Sequence, residues 1–201
     1  MSFRIVTISR EFGSGGRRIG KMVAEKLGIS YYDNELVTKI AEKSGFAQSF
    51  IKEHGEETSA TSSLLFSLSN WGTYYNYTVS DQLYFAQRRV IEELASKEPC
   101  VIVGRCADYI LRDRTDCLNV FIHADMDFKR KRIVEIYGEK ETTPDKRILE
   151  KDKRRKAYYK YYTDQSWGEA RNYHLCLDSG VIGLEKCADV IAQLMTPNHG
   201  I

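Results

Sequence analysis

The N-terminal segment FRIVTISREFGSGGRRIGKMVAEKLG constrains the fold most, because it places a glycine-rich loop between a strand pattern and a helix pattern. The apolar, β-rich run FRIVTIS predicts a strand over 3–9. After the loop, Ile19, Val23 and Leu27 recur at the i, i+4, i+8 spacing of one helix face. Gly28 then stands where such a helix would end. A strand that passes through a short loop into a helix is the opening unit of a parallel α/β sheet.

The rest of the chain continues this alternation. Strand patterns recur over 29–32, 100–104, 118–124 and 173–179, and helix patterns over 34–45, 80–98, 125–138 and 183–195. They predict an α/β fold of three layers, α/β/α, in which a parallel five-stranded sheet carries helices on both faces. The length predicts one domain over 1–201. Residues 46–80 are rich in Ser, Thr and aromatic residues, and we expect them to be mobile or to line a cleft.

Charge and hydropathy exclude several classes of protein. The formal net charge is only +2, which argues against a nucleic-acid partner bound through bulk charge. The sequence has no apolar run of about 18 residues, and charges interrupt the N-terminus where a signal peptide would be apolar. We therefore expect a cytoplasmic protein without membrane contact. The five cysteines include no CxxC pair and the four histidines are scattered, so we expect reduced thiols and no metal site built from protein ligands alone.

Three glycines lie close together in the loop SREFGSGG. Glycine lets successive backbone N–H groups point inward as a nest for phosphate oxygens, next to the positive end of the helix dipole. Gly13, Ser14, Gly15 and Gly16 are therefore predicted to hold phosphate groups of a bound cofactor. A plain turn that merely needs glycine is the alternative.

Two arginines follow in the first turn predicted for the helix, where the dipole disfavours a cation unless an anion is bound nearby. Arg17 and Arg18 could each give two charge-assisted hydrogen bonds to phosphate oxygens. The alternative, strongest for Arg18, is an arginine that faces water. Both residues are assigned to the same phosphate site as the glycines.

The loop departs from the Walker motif G-x-x-x-x-G-K-[ST]. Arg10 stands at the position of the first glycine, and Gly16 takes the place of the lysine that would reach the β- and γ-phosphates. The hydroxyl that would bind Mg²⁺ is also missing, so a metal ligand stays unassigned between Ser9 and Ser14.

Four segments together resemble the cytidylate kinase-like branch of the P-loop nucleoside monophosphate kinases. They are TISREFGSGGRRIGKMVAEKLGISYYD, CVIVGRCADYIL, NVFIHADMDFKRKR and KDKRRKAYYKYY. The resemblance implies a P-loop NTPase fold with a helical substrate-binding region at 34–80 and a short basic lid at 138–162. It also implies transfer of the γ-phosphoryl group of ATP, with Mg²⁺, to a nucleoside monophosphate.

The same resemblance suggests residues for the acceptor. GRCAD resembles the Gly-Arg-Asp element that holds the substrate phosphate, so Arg105 is expected to bind substrate; Cys106 replaces the acid and Asp108 lies two residues on. Asp33 aligns with an acidic residue near the acceptor nucleotide, although a helix N-cap explains it equally well. Arg10, at the end of the first strand, completes the predicted substrate-binding set.

The lid is expected to supply charge around the migrating phosphoryl group. Asp152 and Arg155 resemble the family's paired acid and arginine, and Arg154 is the neighbouring alternative. Lys129 and Arg132, three residues apart on the preceding helix, resemble its lid-proximal basic residues. The predicted catalytic set is Arg17, Arg132, Asp152, Arg154 and Arg155. The nearby tyrosines 158, 159, 161 and 162 are expected to pack a helix face.

Three functions stay open at this point. The first is a nucleoside monophosphate kinase that acts on CMP or dCMP, with a nucleotide donor and a nucleotide acceptor as its partners. The second is a nucleotide-binding regulatory protein with little turnover, since the Walker lysine is absent. The third, a nucleic-acid-binding module that uses the basic runs, is disfavoured by the near-neutral charge. The base of the acceptor and the oligomeric state are not predicted.

Overall fold

A computed structural model describes residues 3–33, 79–138 and 140–196. The strands are β1 (Ile5–Arg10), β2 (Ser30–Tyr32), β3 (Cys100–Val103), β4 (Cys117–His123) and β5 (Leu175–Asp178). The helices are α1 (Gly16–Leu27), α2 (Val79–Lys97), α3 (Ala107–Ile110), α4 (Met126–Tyr137), α5 (Pro144–Thr163), α6 (Ser179–Ile182) and α7 (Leu184–Met195), with a 3₁₀ turn at Ala170–Asn172. The helix predicted at 34–45 and nearly all of the irregular segment 46–80 lie outside the described residues.

The five strands form one sheet in the order β2-β3-β1-β4-β5, and every neighbouring pair is parallel. β1 lies at the centre, with Ile5 in register with Cys100 of β3 and with Cys117 of β4. All six residues of β1 are buried, which fits the mostly apolar run Ile5–Ile8. The predicted parallel five-stranded α/β fold is confirmed.

Helices cover both faces of the sheet. On one face, Ile19 and Val23 of α1 and Ile191 of α7 pack with no exposed surface against β1, β3 and β4. On the other face, Ile91 and the rest of the inner side of α2 pack with α3 and α5. Burying one such isoleucine contributes about 1.5–3 kcal/mol to folding. Both layers leave the carboxyl ends of the strands accessible.

Local signals explain where the helices around those strand ends begin and stop. α1 ends at Gly28, whose φ of 64° suits glycine. α4 begins after Asp125, whose carboxylate accepts the N–H of Phe128 at 2.8 Å, and it ends at Gly138 as predicted. α5 begins after Thr143, with a proline in its first turn.

α2 begins at Val79, one residue before the helix pattern predicted over 80–98. The segment predicted to be the lid, 138–162, is mostly one long helix, α5. Among the described helices, none is both long enough and apolar enough to cross a membrane.

Candidate active site at the carboxyl edge of the sheet

The candidate site lies where the carboxyl ends of β1, β3 and β4 meet, the edge at which open α/β sheets bind ligands. Residues 11–15, the glycine loop, join β1 to α1 there. Residues 104–106, the strained turn, join β3 to α3. The basic helix α5 lies over both connections and supplies residues to the cavities beside them.

Packing requires glycine at three positions of this edge. Gly13 and Gly15 have φ angles of 88° and 84°, which disfavour residues with a side chain. A Cβ on Gly15 would lie 2.5 Å from Leu184 Cδ2, and one on Gly16 would lie 2.5 Å from Arg10 Cβ. The plain-turn alternative therefore explains part of the glycine content, since each glycine also makes room for a neighbouring side chain.

The start of α1 leaves its first N–H groups without a side-chain partner. Gly15 occupies the N-cap position, so no side chain caps the helix, and no acidic residue lies in its first turn. The first N–H groups of a helix carry partial positive charge and need acceptors. Both features match the predicted phosphate cradle.

The hydroxyl of Ser14 does not face that cradle. Ser14 is fully buried; its Oγ donates to the carbonyl of Glu11 at 2.9 Å, and its own carbonyl accepts from Ser179 Oγ at 2.6 Å. The Ser14 hydroxyl thus bonds within the loop, whereas its backbone carbonyl ties the loop to α6. Ser9, the other metal-ligand candidate, is also buried and lines a cavity described below.

Arg17 and Asp33, predicted separately for donor and acceptor, form one ion pair. Arg17 Nε lies 2.5 Å from Asp33 Oδ2, and Nη2 donates to Oδ1 at 3.1 Å. Burial disfavours the arginine's charge, but Asp33 outweighs it and raises the pKa of Arg17. The residues predicted to form a helix after Asp33, 34–45, lie outside the described residues, so the N-cap alternative is not tested. Arg18 is exposed.

Arg132 of α4 reaches over the glycine loop. Its Nε would be 3.1 Å from a Cβ placed on Gly15. Partial burial, together with the like charge of Arg18, lowers the pKa of Arg132. Across residues 3–33, 79–138 and 140–196, no carboxylate forms a salt bridge with Arg132. A bound anion would relieve this unfavourable concentration of positive charge.

Lys129, one turn before Arg132, has a different environment. It is buried, and its Nζ lies 2.8 Å from Glu11 Oε2, which also accepts the N–H of Ala124 at 3.3 Å. The ammonium group is thereby committed to Glu11 beneath the loop. It does not replace the missing Walker lysine.

Helix α5 is attached to the loop through Asp152 and Arg155. Asp152 is buried and accepts the N–H of Phe12 at 2.7 Å; burial raises the pKa of its carboxyl group. Arg155 Nη1 donates to the carbonyl of Arg10 at 3.0 Å, and its guanidinium lies 5.8 Å from the centre of the Phe12 ring. Tyr137 stacks on the other side of the loop, with 5.8 Å between its ring centre and that of Phe12.

The loop and α5 enclose a space of about 250 Å³, here called the loop cavity. Its lining comprises Arg10, Glu11, Phe12, Gly13, Gly15, Gly16, Arg17, Arg132, Ile133, Ile136, Tyr137, Lys151 and Arg155. The cavity combines backbone N–H groups, several cations and an aromatic wall. It therefore fits a chain of phosphates better than an uncharged ligand.

A second, smaller space of about 20 Å³, the turn cavity, lies beside the strained turn. It is lined by Ser9, Arg10, Gly104, Arg105, Cys106, Arg155, Tyr158, Tyr159 and Trp167. Gly104 leaves room for the Arg10 guanidinium, which a Cβ there would contact. Three arginines thus lie among the residues that line this small space.

Six of the predicted residues line neither cavity: Ser14, Arg18, Asp33, Asp108, Asp152 and Arg154. Asp108 is buried beneath the turn and accepts a hydrogen bond from Tyr159 Oη at 2.7 Å; burial raises its pKa to about 6. Arg154 is half-buried on α5. Arg105, three residues before Asp108, and Arg155, next to Arg154, line the cavities instead. Tyr158 and Tyr159 are buried as expected, whereas Tyr161 is exposed.

Sequence reasoning missed Glu11, Phe12, Tyr137 and Lys151, which line the loop cavity. Their positions in the sequence could have indicated them, since Glu11 and Phe12 fall inside the loop and Tyr137 is the last residue of α4. No cluster of three or more metal-ligating side chains exists among the described residues. The arginines and loop glycines fit a triphosphate; a metal ion would have to arrive with it.

A parallel sheet in this strand order, with a glycine loop after its central strand and a basic helix over that loop, defines a kinase fold of the P-loop class. The chain belongs to the cytidylate kinase-like family, whose profile matches residues 5–181. Family and fold together support a phosphotransferase.

Individual relatives agree with this assignment. The chain is 27% identical to the cytidylate kinase of Archaeoglobus fulgidus over 194 residues, which cover 94% of this chain and 92% of that protein. It is 30% identical to an uncharacterized protein of solved structure from Eubacterium ventriosum, with a TM-score of 0.71 and coverage of 95% and 97%. Shikimate kinase from Acinetobacter baumannii, solved with shikimate, shares the fold at 16% identity, with a TM-score of 0.56 and coverage of 98% and 95%.

Proposed function

We propose that the protein transfers the γ-phosphoryl group of ATP to a nucleoside monophosphate, with CMP or dCMP as the preferred acceptor. One observation carries the proposal: Arg10 and Arg155 line both the loop cavity and the turn cavity. A phosphoryl group that moves from one cavity to the other would stay beside these two guanidinium groups throughout. Stabilising its charge is most of what phosphoryl transfer requires.

The loop cavity supports the donor end of the proposal. The uncapped N–H groups at the start of α1 would receive the donor's phosphates, and Arg132 would approach them from α4. Mg²⁺, when bound with the donor, would neutralise charge between its terminal phosphates. Arg10 and Arg155 would then substitute for the ammonium group of the missing Walker lysine.

The turn cavity supports an acceptor that is itself a phosphate. Arg10, Arg105 and Arg155 give three cations around a space of about 20 Å³, more than a neutral hydroxyl acceptor would need. A phosphate acceptor is already ionised at neutral pH, so no general base has to remove a proton from it. The choice of cytosine follows from the family and from the Archaeoglobus fulgidus relative, not from the cavity.

A second candidate is nucleotide binding with little turnover. Arg17 favours this candidate. It follows Gly16, which stands at the position of the Walker lysine, but its guanidinium group pairs with Asp33. In that case the loop would bind ATP, yet the transferring group would lack a sufficient cation.

A coupled assay of ADP formation with CMP, dCMP, UMP, AMP and GMP tests the proposal. Saturable turnover that is highest with CMP or dCMP is the expected result. Arg155→Ala should lower kcat/KM by about a thousandfold, because it removes a cation from both cavities. Lys153→Ala, which removes the same charge from an exposed position on the same helix, serves as the matched control. Binding of ATP without turnover on any acceptor would favour the second candidate.

A further inference from the structure

Gln87 is an almost fully buried polar residue that lines neither cavity. It lies on α2 with 1% of its surface exposed. Its Nε2 donates to the carbonyl oxygen of Arg105 at 2.5 Å, and its Oε1 accepts from Tyr158 Oη at 3.1 Å. A buried amide is unfavourable unless its polar atoms are paired, and here both ends are used.

The carbonyl that Gln87 holds belongs to an unusual turn. Gly104, Arg105 and Cys106 have successive φ angles of 80°, 61° and 54°. Residues with a side chain rarely adopt this left-handed conformation, and they keep it only where surrounding groups hold the backbone. Two adjacent residues other than glycine do so here, directly before α3. The buried Gln87 amide donates a hydrogen bond to the carbonyl of Arg105, the middle residue of the three.

The second hydrogen bond connects this turn to the lid. Tyr158 lies three residues after Arg155 on α5, so the two side chains leave neighbouring turns of one helix. Both line the turn cavity together with Arg105. Gln87 therefore bridges the two elements that supply arginines to that cavity.

We propose that Gln87 is a positioning residue. It directs the Arg105 side chain toward the acceptor phosphate and fixes the position of Arg105 relative to Arg155. This inference rests on the proposed function, because it gives the turn cavity an acceptor phosphate. Its effect is specific: loss of Gln87 weakens the acceptor site and leaves the glycine loop, and hence the donor site, unchanged. A residue that merely filled the core would lower stability without this asymmetry.

Two substitutions test it. Gln87→Leu keeps the approximate volume and removes both hydrogen bonds; Gln87→Glu keeps an acceptor for Tyr158 but, when ionised, cannot donate to the Arg105 carbonyl. Both variants should raise KM for CMP about tenfold or more, with KM for ATP changed by less than about twofold. Gln165→Leu is the matched control, since Gln165 also accepts from a lid tyrosine, Tyr159, at 3.2 Å but does not touch the turn.

A second measurement separates failure of this inference from failure of the proposed function. Amide hydrogen exchange at residues 104–110 should quicken in Gln87→Leu relative to the rest of the sheet, whether or not the wild type turns over. Inorganic phosphate, followed by ³¹P NMR, should bind this variant about tenfold more weakly than the wild type. If the wild type shows no turnover, these two changes still support the positioning role. Unchanged exchange with unchanged phosphate affinity, or equal rises in KM for ATP and CMP, would overturn it.

Discussion

Arg155 on α5 donates a hydrogen bond from Nη1 to the carbonyl oxygen of Arg10 at 3.0 Å, and Arg10 is the last residue of β1. The central strand of the sheet therefore orients an arginine of α5. Asp152, one turn earlier, accepts the N–H of Phe12 in the glycine loop. These two contacts attach α5 to β1 and to the loop, so Arg155, which lines both cavities, is held in place without a ligand.

Gly15→Val should abolish ATP binding. The residue has a φ of 84°, and its new side chain would meet Leu184 and Arg132, so the cradle would be both strained and filled. The free energy of unfolding should fall by about 1–3 kcal/mol. Calorimetric titration with ATP and urea denaturation measure the two effects.

Gly28→Ala provides the control for this change. Gly28 also has a positive φ, 64°, but no atom lies within 4 Å of the added Cβ. This variant should lose about 1 kcal/mol of stability and bind ATP as the wild type does. ATP affinity of wild-type strength in Gly15→Val would refute the cradle.

A double-mutant cycle on Arg17 and Asp33 should show a weak structural interaction. The Arg17 side chain is 54% exposed, and ion pairs in such positions contribute about 0.2–1 kcal/mol to the free energy of unfolding. Transfer, by contrast, should fall sharply in Arg17→Ala because the residue lines the loop cavity. The cycle is read by urea denaturation and by the ADP assay. A coupling free energy well above 1 kcal/mol in the unfolding cycle, together with an unchanged rate of phosphoryl transfer, would show that the pair has a structural role alone.

The sequence predicted the centre of the sheet because β1, β3 and β4 are mostly apolar runs buried on both sides, and such runs leave little choice of structure. The ends of α1 and α4 were also predictable, since Gly28, Asp125 and Gly138 act through local backbone chemistry. Arg10 and Arg105 could be assigned to one edge because each lies at the carboxyl end of a parallel strand.

The long-range hydrogen bonds and ion pairs of the site could not be predicted, because they join residues far apart in the chain. Arg17 with Asp33, Ser14 with Ser179, and Lys129 with Glu11 each depend on how three-dimensional packing directs a long or polar side chain. The burial of Asp108 was missed for the same reason: its place in the motif suggested substrate, whereas α3 directs it toward Tyr159.

Asp108→Asn should stabilise the protein increasingly as pH rises. Burial raises the pKa of Asp108 in the folded protein to about 6, above the value of about 3.9 for an unfolded chain. The folded state therefore binds the proton more tightly, and its stability relative to the asparagine variant declines as pH passes from about 4 through about 6. Between pH 4 and pH 7.5, the difference in free energy of unfolding should move by about 1–3 kcal/mol in favour of the variant.

Urea denaturation of both proteins at the two pH values measures this shift, since the other titrating groups are common to both and cancel. Asp113→Asn, at a side chain that is 86% exposed, should show a pH-independent difference near zero. An Asp108→Asn difference that stays constant with pH would mean that the carboxyl group titrates normally.

Lys129→Met should destabilise the fold by about 3 kcal/mol, because it leaves the Glu11 carboxylate partly buried without its ammonium partner. Lys129→Met combined with Glu11→Gln should recover a large part of that loss, because no unpaired charge is left. Thermal and urea unfolding of the single and double variants measure the recovery. A double variant as unstable as the sum of the two single changes would show that the two residues act independently.

Arg132→Gln should shift stability and ligand binding in opposite directions. The guanidinium is partly buried beside the glycine loop, where desolvation and the like charge of Arg18 oppose its ionised state. Removing it should raise the free energy of unfolding of the ligand-free protein by up to about 0.5 kcal/mol. The same change should weaken ATP binding by about tenfold or more, because a charge-assisted hydrogen bond to phosphate is lost. A residue kept for packing alone would lower stability and leave ATP affinity unchanged, so measuring both quantities on one variant separates the two roles.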